Sequence, residues 1–225
     1  MPRTPSSRLR VLAVTAALAV TVLATTGALA GCASLASSLA APSGDGSATR
    51  TTNGSATGTA PTQQRAGTGL EDIHDPKKVT YSRTLTSCQF RDDGQLPDPA
   101  CTPGAVDPAV AQQNIHSTIC RSGGYTTKVR PPESETERAK FDVAYPAYRV
   151  RHSATSELDH LVSLELGGSN DIANLWPEVG KLPNPKDKVE NDLHRAVCDG
   201  EVSLSAAQQA IATDWTTAEA KLGLG

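Results

Sequence analysis

Cys88, Cys101, Cys120 and Cys198 constrain this chain more than any other feature, because they follow an N-terminus built for export. Arg3, Arg8 and Arg10 precede an almost unbroken run of apolar and small residues from Val11 to Ala30, which ends in Leu29-Ala30-Gly31-Cys32. That order of basic, apolar and small residues reads as a secretory signal. In an oxidising compartment four cysteines imply two disulfides, with three connectivities open. We favour a short loop, Cys88–Cys101, and a long one, Cys120–Cys198, which would tie an early helix to a late one. A zinc site is the competing use of these residues, but no Cys-x-x-Cys spacing supports it.

The Leu-Ala-Gly-Cys ending resembles the lipobox of bacterial lipoproteins, whose cysteine is lipidated and becomes the mature N-terminus. It implies a signal over residues 1–31, a lipid on Cys32 and a domain anchored at the outer face of the cell membrane. Two other readings stand beside it. One is an uncleaved membrane anchor, since about twenty apolar residues span a bilayer. The other is a plain secreted protein cut near Ala28-Leu29-Ala30. Residues 32–69 are rich in Ser, Thr, Ala and Gly without apolar periodicity, which predicts a flexible tether. Residues 70–225 hold the globular domain. Across Glu71–Gly225, 16 Lys and Arg face 23 Asp and Glu, a net charge of −7. Phosphate affinity comes from Lys and Arg, so a broadly basic nucleic-acid surface is excluded. A protein partner is not predicted.

The pattern of the domain predicts an α+β fold. Lys78 to Ser82 and Tyr125 to Val129 read as short strands. Asp107-Pro108 reads as a cap and first residue of a helix reaching Cys120, with His116 in a structural role. Glu133 to Tyr145 is a second helix. From Leu158 to Leu164 residues alternate with period two, a strand signal. Gly167 to Asp171 is a turn, and Asn174-Leu175-Trp176 a second strand. Asn184-Pro185 opens a helix to about Cys198. Ser203 or Ser205 caps a last helix through Trp215. Trp176 and Trp215 are expected in the core.

Only one stretch of the chain proposes a chemistry. It runs Glu157-Leu158-Asp159-His160-Leu161-Val162-Ser163-Leu164-Glu165-Leu166-Gly167-Gly168, then Asn174-Leu175, then Asn184-Pro185-Lys186-Asp187. Phosphodiester hydrolysis needs a base for the attacking water and a divalent cation to neutralise charge on the phosphate and leaving oxygen. His160 is titratable near neutral pH and is the natural base. A hard cation such as Mg2+ takes carboxylate and amide oxygens, which Asp159 and an Asn from the following helix would supply. On a straight strand Asp159 and His160 point to opposite faces, so a local bend would be needed.

In this order the residues resemble the HNH (His-Asn-His) endonuclease motif in its Asp-His…Asn…Asn form, most closely over residues 157–198. The resemblance implies a ββα-metal finger packed among helices, here stapled by two disulfides, binding one divalent metal, Mg2+ or Mn2+, and cleaving DNA or RNA. It implies that His160 is the general base, that Asp159 binds the metal and that Asn174 holds the base's loop in place. For the third motif position Asn184 comes first, with Asp187, Asn191 and His194 as rivals. Arg149 and Arg151, in the basic cluster ending at His152, and Lys186 are the expected phosphate contacts.

Each part also has an ordinary explanation. Asn184 before Pro185 is a good helix cap whatever else it does. Lys186, Asp187 and Glu190 fit a solvated helix face. Two other functions are carried: a non-catalytic surface lipoprotein that keeps the finger as a binding scaffold, and a cell-wall hydrolase using carboxylates from Glu157, Asp159 and Glu165. The last ranks lowest, because catalytic carboxylates flank their substrate from two sides.

Overall fold

The computed structural model describes residues 63–64, 69–75, 77–153 and 155–225. The expected signal, the lipidation site Cys32 and most of the tether lie outside the described residues. Among those described, no helix is long and apolar enough to cross a membrane.

Two small sheets and a set of helices make up an α+β fold. In the first sheet β1 (Gln63–Gln64) pairs antiparallel with β2 (Glu71–Asp72), which runs parallel to β3 (Ala105–Val106). The helices before the second sheet are α1 (Thr126–Val129), α2 (Glu133–Arg138) and α3 (Tyr145–Tyr148). The second sheet is an antiparallel pair, β4 (Ser156–His160) with β5 (Leu175–Val179), in which Asp159 lies opposite Trp176 and His160 opposite Leu175. Three helices follow: α4 (Pro185–Cys198), α5 (Leu204–Asp214) and α6 (Ala218–Lys221).

The two long helices start where the sequence chemistry places them. Asn184 is extended and its side chain accepts from the Lys186 amide, while Pro185 takes the first helical position. Ser203 caps α5 by accepting from the Ala206 amide. Val189, Leu193 and Val197 on one side of α4 join Leu204, Ala207 and Ile211 of α5 in the core, beneath Trp176 and Leu175 of β5. Trp176 is fully buried, and the Trp215 ring donates to the Gln95 carbonyl at 2.7 Å.

Five expected elements differ. The helix expected from Asp107 is a 3-10 segment over Gln112–Ser117. The Asp107 carboxylate turns back to the Ala109 amide, and Asn114 bonds both the Ala111 amide and the Ala109 carbonyl, so side chains take the backbone groups a helix would use. The strand expected at Tyr125–Val129 is α1, ended by Pro131, which holds Arg130 extended. Lys78–Ser82 contributes only a single bridge, Thr80 to Asp171. The helix from Glu133 continues to Tyr148, passing through a π-helical stretch over Ala139–Ala144. Finally β4 stops at His160, because Leu161, Val162, Ser163 and Leu164 are buried on both faces and the alternation no longer has a solvent side.

Both favoured cysteine pairs, Cys88–Cys101 and Cys120–Cys198, stand at disulfide distance, closing loops of 13 and 78 residues. Loop-closure entropy assigns about 3 and about 4 kcal/mol to bonds spanning such lengths.

Between β4 and β5 the chain does not loop out into solvent. Ser169, Asn170, Asp171 and Asn174 are at most 1% exposed. The segment lies between β3, through Ser169 N to Ala105 O and Asp107 N to Gly167 O, and Thr80, through Ile172 N to Thr80 O. Asp171 accepts from the Thr80 and Ser82 hydroxyls and from the Ser82 and Ala173 amides. Asn174 accepts from the Val162 amide at 2.9 Å and donates to the Val162 and Ser169 carbonyls at 2.9 and 2.8 Å. At Gly168 the backbone is so close that a Cβ would lie 1.8 Å from the Val162 carbonyl oxygen. Gly168→Ala is therefore expected to cost about 3 kcal/mol or more in chemical denaturation, whereas Gly180→Ala, where a Cβ meets nothing within 4 Å, should change stability by less than about 1 kcal/mol.

Candidate functional site

His160 ends β4 and is 6% exposed. Its ring Nε2 lies 2.9 Å from Asn170 Oδ1. The Asn170 amide nitrogen donates to Asp75 Oδ1 at 2.6 Å and to the Val129 carbonyl at 3.0 Å. Reversing that amide would set its oxygen against two acceptors, so the oxygen faces His160 and the ring donates through Nε2–H. Nδ1 then carries the lone pair, and no hydrogen bond to a described residue engages it. Burial drives the His160 pKa down to about 4, so the imidazole is neutral at physiological pH.

His160 forms part of the wall of a cavity of about 150 Å³, with Asp159, Ser163, Glu165, Glu190, Thr126 and Arg130. A second cavity of about 320 Å³ shares His160 and Arg130 and extends past Glu157, Thr136 and Lys140. A larger cleft, about 570 Å³, lies elsewhere, between Tyr81, Arg83, Arg138 and Pro146, and brings no histidine together with carboxylates.

α4 turns Lys186, Glu190 and His194 toward this region. Lys186 is fully buried, and its ammonium donates to Asp159 Oδ2 at 2.7 Å, to the His160 carbonyl at 2.8 Å and to Glu190. Burial alone would lower the Lys186 pKa, but Asp159, Glu190 and Glu178 outweigh it and raise it. Asp159 shows the converse: burial opposes ionisation, Lys186 overcomes it, and the pKa is lowered. Burial, followed by the charge of Asp159, pushes Glu178 up to about 9, so it is protonated against its neighbour. Burial also lifts Glu190, to about 7, and Glu165. His194, one turn beyond Glu190, donates from Nε2 to the Ile119 carbonyl at 3.0 Å and brings Nδ1 to 3.6 Å from Glu165.

The expected site residues separate into two groups. Asp159 and His160 share the cavity wall, and Asn174 anchors the loop that follows them. Asn184 does not join them; it caps α4 and borders a different cavity, with Trp176, Gly180 and Trp215. Asn191 is exposed and bonds the Asp187 carbonyl one turn back. Arg149 and Arg151 are exposed and border neither cavity. Lys186 is an internal ion-pair partner rather than a surface phosphate contact. Glu190, read as part of a solvated face, instead points inward. Sequence reasoning missed Arg130, Asn170 and Asp75, and gave Glu165 and Glu190 other roles. A signal for Lys186 and Glu190 was present: they share the α4 stripe of Val189, Leu193 and Val197.

The small cavity is lined by donors of the class a hard divalent cation takes, with the Lys186 ammonium already bonded to two of them. Asp159, Glu165 and Glu190 are oxygen donors. Burial raises the pKa of Glu165 and Glu190 against the positive charge of Lys186, which lowers both. Ser163 Oγ, on the same wall and 4% exposed, is buried without a hydrogen-bond partner. Cys120, His194 and Cys198 also bring ligand-type atoms within 4.8 Å of one another, but the two sulfurs are bonded to each other and a disulfide offers no thiolate.

No family model matches the sequence, and no curated protein or solved structure matches it either.

Glu178 gives the site a pH signature. Its folded pKa exceeds that of the unfolded chain, so the folded state holds the extra proton and stability falls as pH rises toward about 9. His160 has the opposite sign, its depressed pKa adding stability as pH rises from about 4 to 6.5, so it contributes nothing above neutrality. Between pH 7 and 8.5 the unfolding free energy is expected to fall by about 1 kcal/mol per pH unit. In Glu178→Gln that slope should largely disappear, as read from denaturant titrations at each pH.

Proposed function

We propose that the protein is a divalent-cation-dependent phosphodiesterase acting on nucleic acid, DNA foremost, with β4, the buried loop, β5 and α4 forming an HNH-type ββα-metal finger. The observation that carries this reading is a neutral, buried imidazole, hydrogen-bonded through Nε2, on a residue that lines a small cavity walled by three carboxylates and an arginine. In it, His160 Nδ1 takes the proton from a water as the water attacks phosphorus. Arg130 neutralises a non-bridging oxygen. Asp159, Glu165 and Glu190, with Ser163 Oγ, hold Mg2+ or Mn2+, which when bound supplies charge neutralisation at the phosphate and the leaving oxygen. Asn174 keeps the segment after His160 in place. The larger adjoining cavity, with Lys140 along it, accommodates the substrate strand. The surrounding domain carries excess negative charge, so affinity depends on few phosphate contacts and on the cation. With the export signal and Cys32, this activity belongs outside the cell, at the membrane surface.

One observation favours a second reading. The Lys186 ammonium already lies between Asp159 and Glu190, so the site carries a cation of its own. A surface lipoprotein that retains the finger as a binding scaffold would use Lys186 in that way and need no metal.

Nicking of supercoiled plasmid separates the two. The purified protein should nick DNA with Mg2+ or Mn2+, stop in EDTA, and lose at least about 100-fold in rate in His160→Gln. Folded wild-type protein inactive under all cation conditions would support the scaffold instead.

A further inference from the structure

Asp75 lies 85 positions before His160 and is 4% exposed. It lines neither cavity, yet every hydrogen bond its side-chain carboxylate receives comes from the segment that holds the base. Asp75 Oδ2 accepts from the Asn170 amide at 2.6 Å and from the Ser169 hydroxyl, and Oδ1 accepts from the Asn170 side-chain amide at 2.6 Å. Asn170 passes the constraint on, its Oδ1 standing 2.9 Å from His160 Nε2.

We propose that Asp75 is a positioning residue that sets the tautomer of His160 through Asn170, an inference that rests on His160 being the base. The chain has one self-consistent polarity. A carboxylate only accepts, so Asn170 must turn its amide nitrogen to Asp75 and its oxygen to His160. The ring proton is thereby held at Nε2 and the lone pair at Nδ1, the nitrogen not engaged by Asn170. The Val129 carbonyl, which also accepts from the Asn170 amide at 3.0 Å, reinforces the same orientation. The residue that orients the base thus comes from the opposite end of the domain.

Asp75→Asn tests this with little change in shape. The oxygen of the substituted side chain would keep the two donors now on Oδ2, leaving its new amide group facing the Asn170 amide, donor against donor. Relief comes from reversing Asn170, which presents an N–H to His160 Nε2 and moves the ring proton to Nδ1. The measurement is the ring 15N spectrum of the histidine-labelled protein, with His160 assigned by its loss in His160→Gln. Wild type should show a single tautomer protonated at Nε2. Asp75→Asn should show a major or equal share protonated at Nδ1, together with at least a tenfold loss of kcat at unchanged KM. If Asp75→Asn does not fold, Asn170→Ala cuts the same chain at its middle and should give a mixture of tautomers.

Wild-type His160 protonated at Nδ1, or an unchanged tautomer in the folded variant, would overturn the proposal. The spectrum does not depend on turnover. A shifted tautomer in Asp75→Asn, when the wild-type protein cleaves no nucleic acid, would therefore uphold the positioning role while defeating the nuclease reading. An unchanged tautomer in an active Asp75→Asn protein would do the reverse.

Discussion

Everything at the site depends on a loop that is buried although it is polar. Apart from Glu165, the residues between β4 and β5 are buried, so the amides, carbonyls and polar side chains among them depend on partners inside the protein. Asn174 closes the segment on itself at Val162 and Ser169, Asp171 fastens it to Thr80 and Ser82, and Asp75 fastens it from the other side. The glycine at 168 lets two backbone stretches approach where no side chain would fit. A network so fully satisfied tolerates little rearrangement. His160 therefore inherits a fixed direction from its surroundings rather than from its own strand.

Charge is arranged by the same logic. Lys186 would be expensive to bury alone, as would Asp159 and Glu190. Together they are tolerable, because the ammonium meets two carboxylates and a carbonyl and a third carboxyl, Glu178, keeps its proton. The cluster also ties the first turns of α4 to the end of β4, which brings Glu190 to the cavity wall. Its net charge stays negative once Glu165 is counted. The disulfide from Cys120 to Cys198 then holds the far end of α4 near Ile119, where His194 is bound.

Much of this was legible in the sequence, and what was not has physical causes. The Asn-Pro start of α4, the Ser203 cap, the paired cysteines and the strand around Asp159 are local signals, and the structure follows them. Asn114 and Asp107 defeated the helix expected before Cys120, because their side chains compete for the same backbone groups. Motif spacing put Asn184 first for the third ligand, with Asp187, Asn191 and His194 as rivals, but Asn184 is spent on capping and Asn191 and Asp187 are exposed. Glu190 and Lys186 sat on the buried stripe of α4 and could have been read as inward from periodicity alone. Asp75 and Arg130 could not. Their roles arise from contacts between segments distant in sequence, and no local pattern announces them.

The central claim is that a hard cation binds between Asp159, Glu165 and Glu190 beside the free nitrogen of His160. The most direct test is anomalous diffraction from a crystal of the protein soaked in Mn2+. The account predicts one strong peak inside the small cavity, in contact with those carboxylate oxygens and near Ser163 Oγ. A well-ordered structure with no peak there, and the Lys186 ammonium still bridging Asp159 and Glu190, would contradict it.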